Sequence, residues 1–514
     1  MAWFTHWIYL VGYMRASSNM ESDRYSLRIY DSGGTGSFAE LIISRSLDVK
    51  AISSAVFIQV SMSIEQSTLW SWSELCEALE LDQSDGPEIQ GVSIDSRTIE
   101  KDELFVALSG KARPEFNVLE DSGRDGHDYI AAAVRQGAGG VLAHRTHTST
   151  ISTLRCDDTL TGLWDLAHYR RNQINGNVIA VTGSSGKTTL KSFLSQALEC
   201  ATSEGSLNNH IGVPLSMART SRDASLAVFE IGTNHPGEIA PLSKLTRPHV
   251  AVVLNVLNAH IGNFSNFDAL QEEKLSIGEG VAPGGCLIVD EILEEPAKAR
   301  FPELDLRTYG QNADADYRYE MDDIDQVQLS TLQERVVIPG GGEHRAATLC
   351  ATAAVLDVLG QSAKNVHKIS AELPPGRGRT FDVNGIRIID ESYNANPESM
   401  RKCLKHLSRQ VGGRKVAIVG EMAELGEQTE ELHASLVNEL RTVDGVISVG
   451  RAMTKHAYER LESHAKWGEF DDIGGLAAFC AETLKTNDIV LVKGSNTVFW
   501  TRNFVPDLVK ALDG

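Results

Sequence analysis

Basic residues are in deficit in this chain. Lys and Arg number 48 against 69 Asp and Glu, a net charge of −21. So acidic a surface is a poor match for nucleic acid or an anionic membrane. Any anionic ligand must therefore be held by local cations and backbone donors. Paired cysteines are missing as well. The seven cysteines (76, 156, 200, 286, 350, 403 and 480) are scattered, with no C-x-x-C pair. That argues against zinc and against a disulfide framework, and fits a reducing cytoplasm. Long apolar runs are also absent. The stretch from Trp3 to Met14 is too short to span a bilayer and contains His6. It has no basic flank and no A-x-A-like cleavage site, so a signal peptide is not expected. A monomer that uses neither nucleic acid nor an integral membrane segment is the expectation.

What is present is a chain of 514 residues, too long for one core, for which about three domains are expected. Residues 1–61 show little periodicity and a Gly/Ser break at Ser32-Gly-Gly-Thr-Gly-Ser37, and Met62-Ser-Ile-Glu reads as a natural start. The expectation is that 1–61 is an upstream-start artefact or a disordered extension.

The chain is organised around Val178-Ile-Ala-Val-Thr-Gly-Ser-Ser-Gly-Lys-Thr-Thr-Leu190. Val178 to Val181 reads as a buried parallel strand. Gly183 and Gly186 break it, and a helical pattern runs from Lys187 to about 199. Strand, glycine turn and helix N-terminus make a phosphate cradle: backbone N–H groups face the anion and the helix dipole favours its charge. Lys187 can reach terminal phosphates and the Thr188 hydroxyl can meet Mg²⁺. Val181 stands where the longer P-loop pattern has a glycine, so this is the shorter T-G-x-x-G-K-T-T form.

An N-terminal α/β domain is expected at 62–170. It has a helix near Trp70 to Leu79, strands at Gly91 to Arg97 and Leu104 to Leu108, and a helix ending at Gln136. From residues alone, Asp95-Ser-Arg97 reads as a strand-end turn with a surface ion pair. A central domain is expected at 171–379. Glu230 closes the apolar strand Leu226 to Ile231, where a carboxylate is costly unless paired or metal-bound. His249 to Asn255 is another buried strand, delivering Asn255 and His260 beside the P-loop. Lys274, on a helical stretch, reads from sequence alone as a solvated lysine. A third domain, 380–514, alternates strands at 387–390, 415–420, 445–450 and 488–494 with helices, which predicts a doubly wound parallel sheet. It holds no G-x-G-x-x-G. Polar residues gather at its strand ends: Tyr393-Asn-Ala-Asn-Pro397, Glu421 to Gly426 and Lys493-Gly-Ser495.

Thr182-Gly-Ser-Ser-Gly-Lys-Thr-Thr189, Glu230-Ile-Gly-Thr-Asn-His-Pro-Gly-Glu238 and Asp390-Glu-Ser-Tyr-Asn-Ala-Asn-Pro397 together resemble the Mur ligase family. The likeness covers about 62–514 in one register. It implies three α/β domains: a UDP-binding one, a P-loop ATPase-like one and a Rossmann-like one. It implies an ATP-dependent, ADP-forming ligase of peptidoglycan synthesis that joins D-Ala-D-Ala to UDP-N-acetylmuramoyl-tripeptide through an acyl phosphate. The Tyr-Asn-Ala-Asn-Pro and Glu-Leu-Gly motifs point to that member. Under the resemblance Lys187, Glu230, His260 and Lys274 are catalytic. Thr188 and Glu230 hold one Mg²⁺, and His260 with a carbamylated Lys274 holds a second. Thr182, Gly183, Ser184, Ser185, Gly186, Lys187, Thr188, Thr189, Asn255, Arg379, Asp390, Glu391 and Asn394 meet ATP. Ser96 and Arg97 meet the UDP end. Asn208, Asn209, Thr233, Asn234 and His235 line the peptide channel, Tyr393 and Asn396 close over the site from the third domain as substrate-binding residues, and Glu424, Lys493 and Ser495 place the dipeptide.

The chain departs from the family's usual motifs at several points. His-Asn-x-x-Asn is here His344-Arg-Ala-Ala-Thr348, which removes an amide from the adenine contact. Asp-Asp before Ser-Tyr is Asp390-Glu391. Asn496 stands where an Arg is common. Arg377 and Arg379 compete for one inter-domain role, and local spacing favours Arg379. Two other readings are a sibling ligase adding another amino acid, and a non-catalytic relative that binds the precursor.

Overall fold

Apolar β-branched runs alternating with helices give three sheets in chain order. The computed structural model describes residues 68–198, 200–321, 325–370 and 373–514, and the backbone of two earlier strands, β1 (Tyr25–Ile29) and β2 (Ala39–Ile43). Those two pair antiparallel, with Tyr25 opposite Ile43. The rest of the expectation for 1–61 lies outside the described residues. Residues 66–514 form one compact unit.

Its first part opens with α1 (Trp72–Ala78), started by a capping box in which Ser71 and Glu74 bond each other's backbone N–H. Strands β3 (Gly91–Ser93), β4 (Glu103–Val106), β5 (Gly140–Ala143) and β6 (Thr153–Arg155) form a parallel sheet in that order, with α2 (Ile130–Gln136) between β4 and β5. Helix α3 (Thr159–Gln173), capped by Asp158, leads to the second part.

The central sheet has nine strands: β7 (Asn177–Thr182), β8 (Ala201–Thr202), β9 (Leu226–Glu230), β10 (Val250–Val253), β11 (Cys286–Asp290), β12 (Asp305–Gly310), β13 (Tyr317–Met321), β14 (Gln326–Leu329) and β15 (Arg335–Val337). Their spatial order is β15-β14-β13-β12-β11-β10-β7-β9-β8, parallel except at the β13–β14 and β14–β15 pairs. Helices α4 (Lys187–Ala197), α5 (Gly212–Ala218), α6 (Ile239–Thr246), α7 (Phe267–Leu275), α8 (Glu294–Arg300) and α9 (Glu343–Val358) connect or cover it. Because β10, β7 and β9 are neighbours, the P-loop, Glu230 and Asn255 emerge side by side at the strands' carboxyl ends.

The last sheet runs β16 (Arg379–Val383), β17 (Ile386–Glu391), β21 (Ile489–Lys493), β18 (Lys415–Gly420), β19 (Gly445–Val449), β20 (Lys466–Phe470). It is parallel except for the hairpin β16–β17. Helix α10 (Pro397–Ser408) follows β17. The expected doubly wound order is therefore present, with one antiparallel edge strand.

Trp70 pins the first part to the second. It is fully buried, and its indole N–H donates to Ala218 O at 2.9 Å. The Arg170 guanidinium lies 3.9 Å above its ring. Trp70→Phe keeps the apolar bulk and orphans that carbonyl. We expect a loss of about 1–3 kcal/mol, read as an earlier urea unfolding midpoint.

Candidate active site

Two glycines shape the P-loop. Gly183 (φ 149°) and Gly186 (φ 85°) take backbone angles that side chains disfavour, and Gly186 caps α4. Asn255 holds the loop from the end of β10. Its Oδ1 accepts from Ser185 N at 3.0 Å and its Nδ2 donates to Ser185 O at 3.2 Å. Ser184 Oγ donates to Leu257 O. Asn255 thus acts as a brace of the phosphate loop. Lys187 Nζ folds back onto Gly183 O at 2.7 Å, over the loop. Thr182 and Thr189 are buried beside it.

Glu230 is the electrostatic centre, 1% exposed. Thr188 Oγ1 donates to its Oε2 at 2.7 Å and Asn208 Nδ2 to its Oε1 at 2.8 Å. Lys191 Nζ lies 3.9 Å away. Burial pushes this carboxyl up, but Lys187, Arg377, the Thr188 hydroxyl and Lys191 outweigh it and hold the pKa below the usual carboxylate range. A hydroxyl and a carboxylate oxygen 2.7 Å apart suit two adjacent positions of a small octahedral shell, whose neighbouring oxygens sit about 2.9 Å apart. The donor set thus fits Mg²⁺. Lys191 was not singled out in the sequence, although it falls one helical turn after Lys187 and so shares its face.

Lys274 is not the solvated lysine its sequence suggests. It is 2% exposed. Burial and then the nearby Lys187 bring its amine down to about 7, against the raising effect of Glu273 and Glu238. Glu273 places it: one carboxylate oxygen accepts from Gly237 N at 2.6 Å and the other from Ile239 N at 2.8 Å. Glu238 in turn orders Thr233, Asn234 and His235, taking the Asn234 N–H at 2.7 Å. His260, in a left-handed turn (φ 58°), bonds the Glu424 carboxylate through Nδ1. A residue assigned to metal and one assigned to dipeptide thus meet across two sheets' loops. Asn209 Oδ1 caps the turn before α5.

From the last sheet, Arg377 and Arg379 take different directions. Arg379 opens β16 with its guanidinium over Phe381. Arg377 instead crosses to the P-loop side. It donates to Ser206 Oγ at 3.0 Å, stacks 3.9 Å over Tyr393 and helps hold Glu230 ionised. The reason is a tight turn: Gly376 and Gly378 both have positive φ, so alternate residues point opposite ways.

Other residues expected at ATP or peptide are used by the fold. Asp390 accepts from Gly376 N, Ser392 N and Ser392 Oγ. Asn396 caps α10 in a capping box, and Ser495 Oγ takes Ala423 N–H at 2.7 Å. Lys493 Nζ donates to Asn394 O at 3.1 Å, while the Asn394 side chain bonds its neighbour's N–H. Glu391 is ion-paired with Arg345. Thr348 bonds His344 O and lies against Gly186. Ser96 is half-buried, and Arg97 is 85% exposed and tied to Asp95 at 2.6 Å, the surface ion pair read from sequence. Among the described residues, His344, Glu391 and Cys403 offer ligand atoms within 4.8 Å of one another. Arg345 already holds that carboxylate, and burial pushes the Cys403 thiol up to about 12, which disfavours the thiolate.

Three α/β sheets, with a P-loop and a buried carboxylate at the strand ends of the middle one, define a P-loop protein. The comparisons carry this further. The Mur ligase middle domain matches residues 181–356, and the Mur ligase, glutamate ligase domain matches residues 376–496. The UDP-N-acetylmuramoyl-tripeptide–D-alanyl-D-alanine ligase of Rickettsia prowazekii is 27% identical over 461 residues, covering 84% of this chain and 98% of that relative. The ligase of that name from Escherichia coli is 29% identical over 391 residues, 71% and 82% of the two chains. A crystal structure of MurF from Acinetobacter baumannii superposes with a TM-score of 0.73 at 28% identity, covering 86% and 99%. The MurF ligase of Thermotoga maritima in complex with ADP gives 0.68 at 26%, covering 82% and 98%. This chain belongs to the Mur ligase family. Among its described residues no helix is long and apolar enough to cross a membrane.

The two arginines separate in a direct test. Arg377→Met is expected to lower nucleotide-dependent turnover about 100-fold, the scale of losing one donor aimed at developing negative charge. Arg379→Met is expected to change it by less than about twofold, as for other exposed side chains. Steady-state kinetics of both variants checks this.

Proposed function

We propose that this chain joins D-Ala-D-Ala to UDP-N-acetylmuramoyl-tripeptide, with ATP converted to ADP, in peptidoglycan precursor synthesis. The structural observation that carries the nucleotide part of the reading is Glu230, buried at the end of β9, bonded by Thr188 and faced by Lys187, Lys191 and Arg377. The named relatives support the same reading. ATP as a substrate goes with a cytoplasmic location, and the three sheets go with three domains at about 62–170, 171–379 and 380–514.

A carboxylate is a poor electrophile. It must first be phosphorylated, and the dipeptide amine then displaces phosphate from the acyl phosphate. Charge on the phosphoryl oxygens grows along that path, so fixed cations and donors stabilise it. Here Lys187 and the N–H groups of 183–188 cradle the phosphates, and Arg377 approaches from the opposite sheet. Thr188 and Glu230 would hold one Mg²⁺, which would offset the charge between the phosphates. His260 and a carbamylated Lys274 would hold a second. The Lys274 amine, brought down to about 7, is neutral in a substantial fraction of molecules near neutral pH and can then add CO₂. The carbamate would turn a buried cation into an oxygen ligand. Glu424 on His260 closes the last sheet's loop over this side of the site and helps exclude water from the acyl phosphate.

Two experiments follow. Phosphate release with ATP and Mg²⁺ is expected to need both UDP-muramoyl-tripeptide and D-Ala-D-Ala, and to disappear in Lys187→Ala. Release with a single amino acid in place of the dipeptide would assign a sibling activity instead. Binding of ATP and precursor without any release would assign a non-catalytic role. As pH falls through about 7 the Lys274 amine takes up a proton and can no longer add CO₂, so turnover should drop on the acid side. Added bicarbonate should recover part of it, and Lys274→Ala should show no bicarbonate response.

A further inference from the structure

One buried guanidinium touches three separate pieces of the chain. Arg345, in the first turn of α9, is 2% exposed. Its Nη1 donates to Gly340 O at 2.9 Å and Gly341 O at 3.0 Å, in the loop before that helix. Its Nη2 donates to Arg377 O at 3.2 Å, in the connection between the central and last sheets. The same nitrogen pairs with Glu391 at the end of β17. The connection is pinned from its other side too, by Gly376 N to Asp390 Oδ2 and Gly378 N to Asp390 O, at 2.8 and 2.7 Å. A side chain at Gly378 would run into Arg345: a Cβ there would sit 1.8 Å from Nη2. So the turn carrying Arg377 lies between Arg345 and Asp390, and Arg377 leaves it toward Ser206 at 3.0 Å.

Arg345 and Glu391 are both buried charges, and each is the other's counterion. A lone buried charge at either position is costly, whereas the pair satisfies both.

We propose that Arg345 is a positioning residue that clamps the 374–378 connection and so sets where the Arg377 guanidinium lies over the P-loop. This rests on the ligase reading only for its kinetic test. The clamp acts through the Arg377 carbonyl, so it fixes the side chain's origin without engaging the guanidinium itself. A displacement of about 1 Å at such a group is enough to cost roughly 100-fold in rate.

The test uses the full chain with Arg345→Met and with Arg345→Met/Glu391→Met. Each is measured for thermal unfolding, for trypsin cleavage at the Arg377–Gly378 bond mapped by mass spectrometry, and for kcat and KM for ATP. In the parent chain the Arg377 carbonyl is bonded and the bond should resist trypsin. Arg345→Met should open it to cleavage, lower the melting temperature and reduce kcat by tenfold or more. The double variant removes both buried charges, so it should regain melting temperature yet stay cleavable and slow. If instead it regains protection and kcat along with stability, Arg345 merely balances a charge and the proposal fails. Unchanged cleavage in Arg345→Met also overturns it. The cleavage readout needs no ligase activity, so a failure of the functional reading stays distinguishable from a failure of the clamp.

Discussion

A carboxylate buried at the end of an apolar strand is the constraint from which the site follows. Glu230 has almost no contact with water, and burial alone would make it neutral. It stays ionised because cations from several elements face it: Lys187 and Lys191 on α4, and Arg377 from the connection to the last sheet. Removing any of these would leave the remaining charges poorly compensated. Three of the chain's 48 Lys and Arg residues thus face the buried carboxylate beside the phosphate loop.

That arrangement joins separate parts of the chain. Sheet order sets β7, β9 and β10 side by side, so loop, carboxylate and brace arrive together. The last sheet contributes from outside, through Arg377 over the P-loop side and Glu424 on His260. Neither contact lies within one sheet. Movement of the last sheet's loops would therefore change the charge around Glu230, which links domain position to phosphate binding.

Much of this was legible in the sequence. Apolar β-branched runs located the strands of the central and last sheets, because fully buried parallel strands need them. The glycine pattern with Lys187 and Thr188 located the phosphate loop, because few residues other than glycine adopt those backbone angles. What was not legible depended on distance in space. Lys274 looked solvated because a short helix gives no sign of what packs over it, and Glu273 tethering 237–239 is a long-range contact. The choice between Arg377 and Arg379 turned on two positive-φ glycines, whose effect on side-chain direction local spacing does not reveal. Asp390, Asn396 and Ser495 also bond turns and caps, contacts that their motif did not announce. The Arg345–Glu391 pair was not legible, because the two residues are far apart in the chain.

In the proposed mechanism Glu230 stays charged and, with Thr188, holds a divalent cation under the nucleotide. Equilibrium binding of ADP with and without Mg²⁺, in the parent chain and in Glu230→Gln, is the decisive measurement. Mg²⁺ should tighten ADP binding in the parent chain and have little effect in the variant, which still binds ADP through the phosphate loop. An equal Mg²⁺ dependence in both would rule that role out.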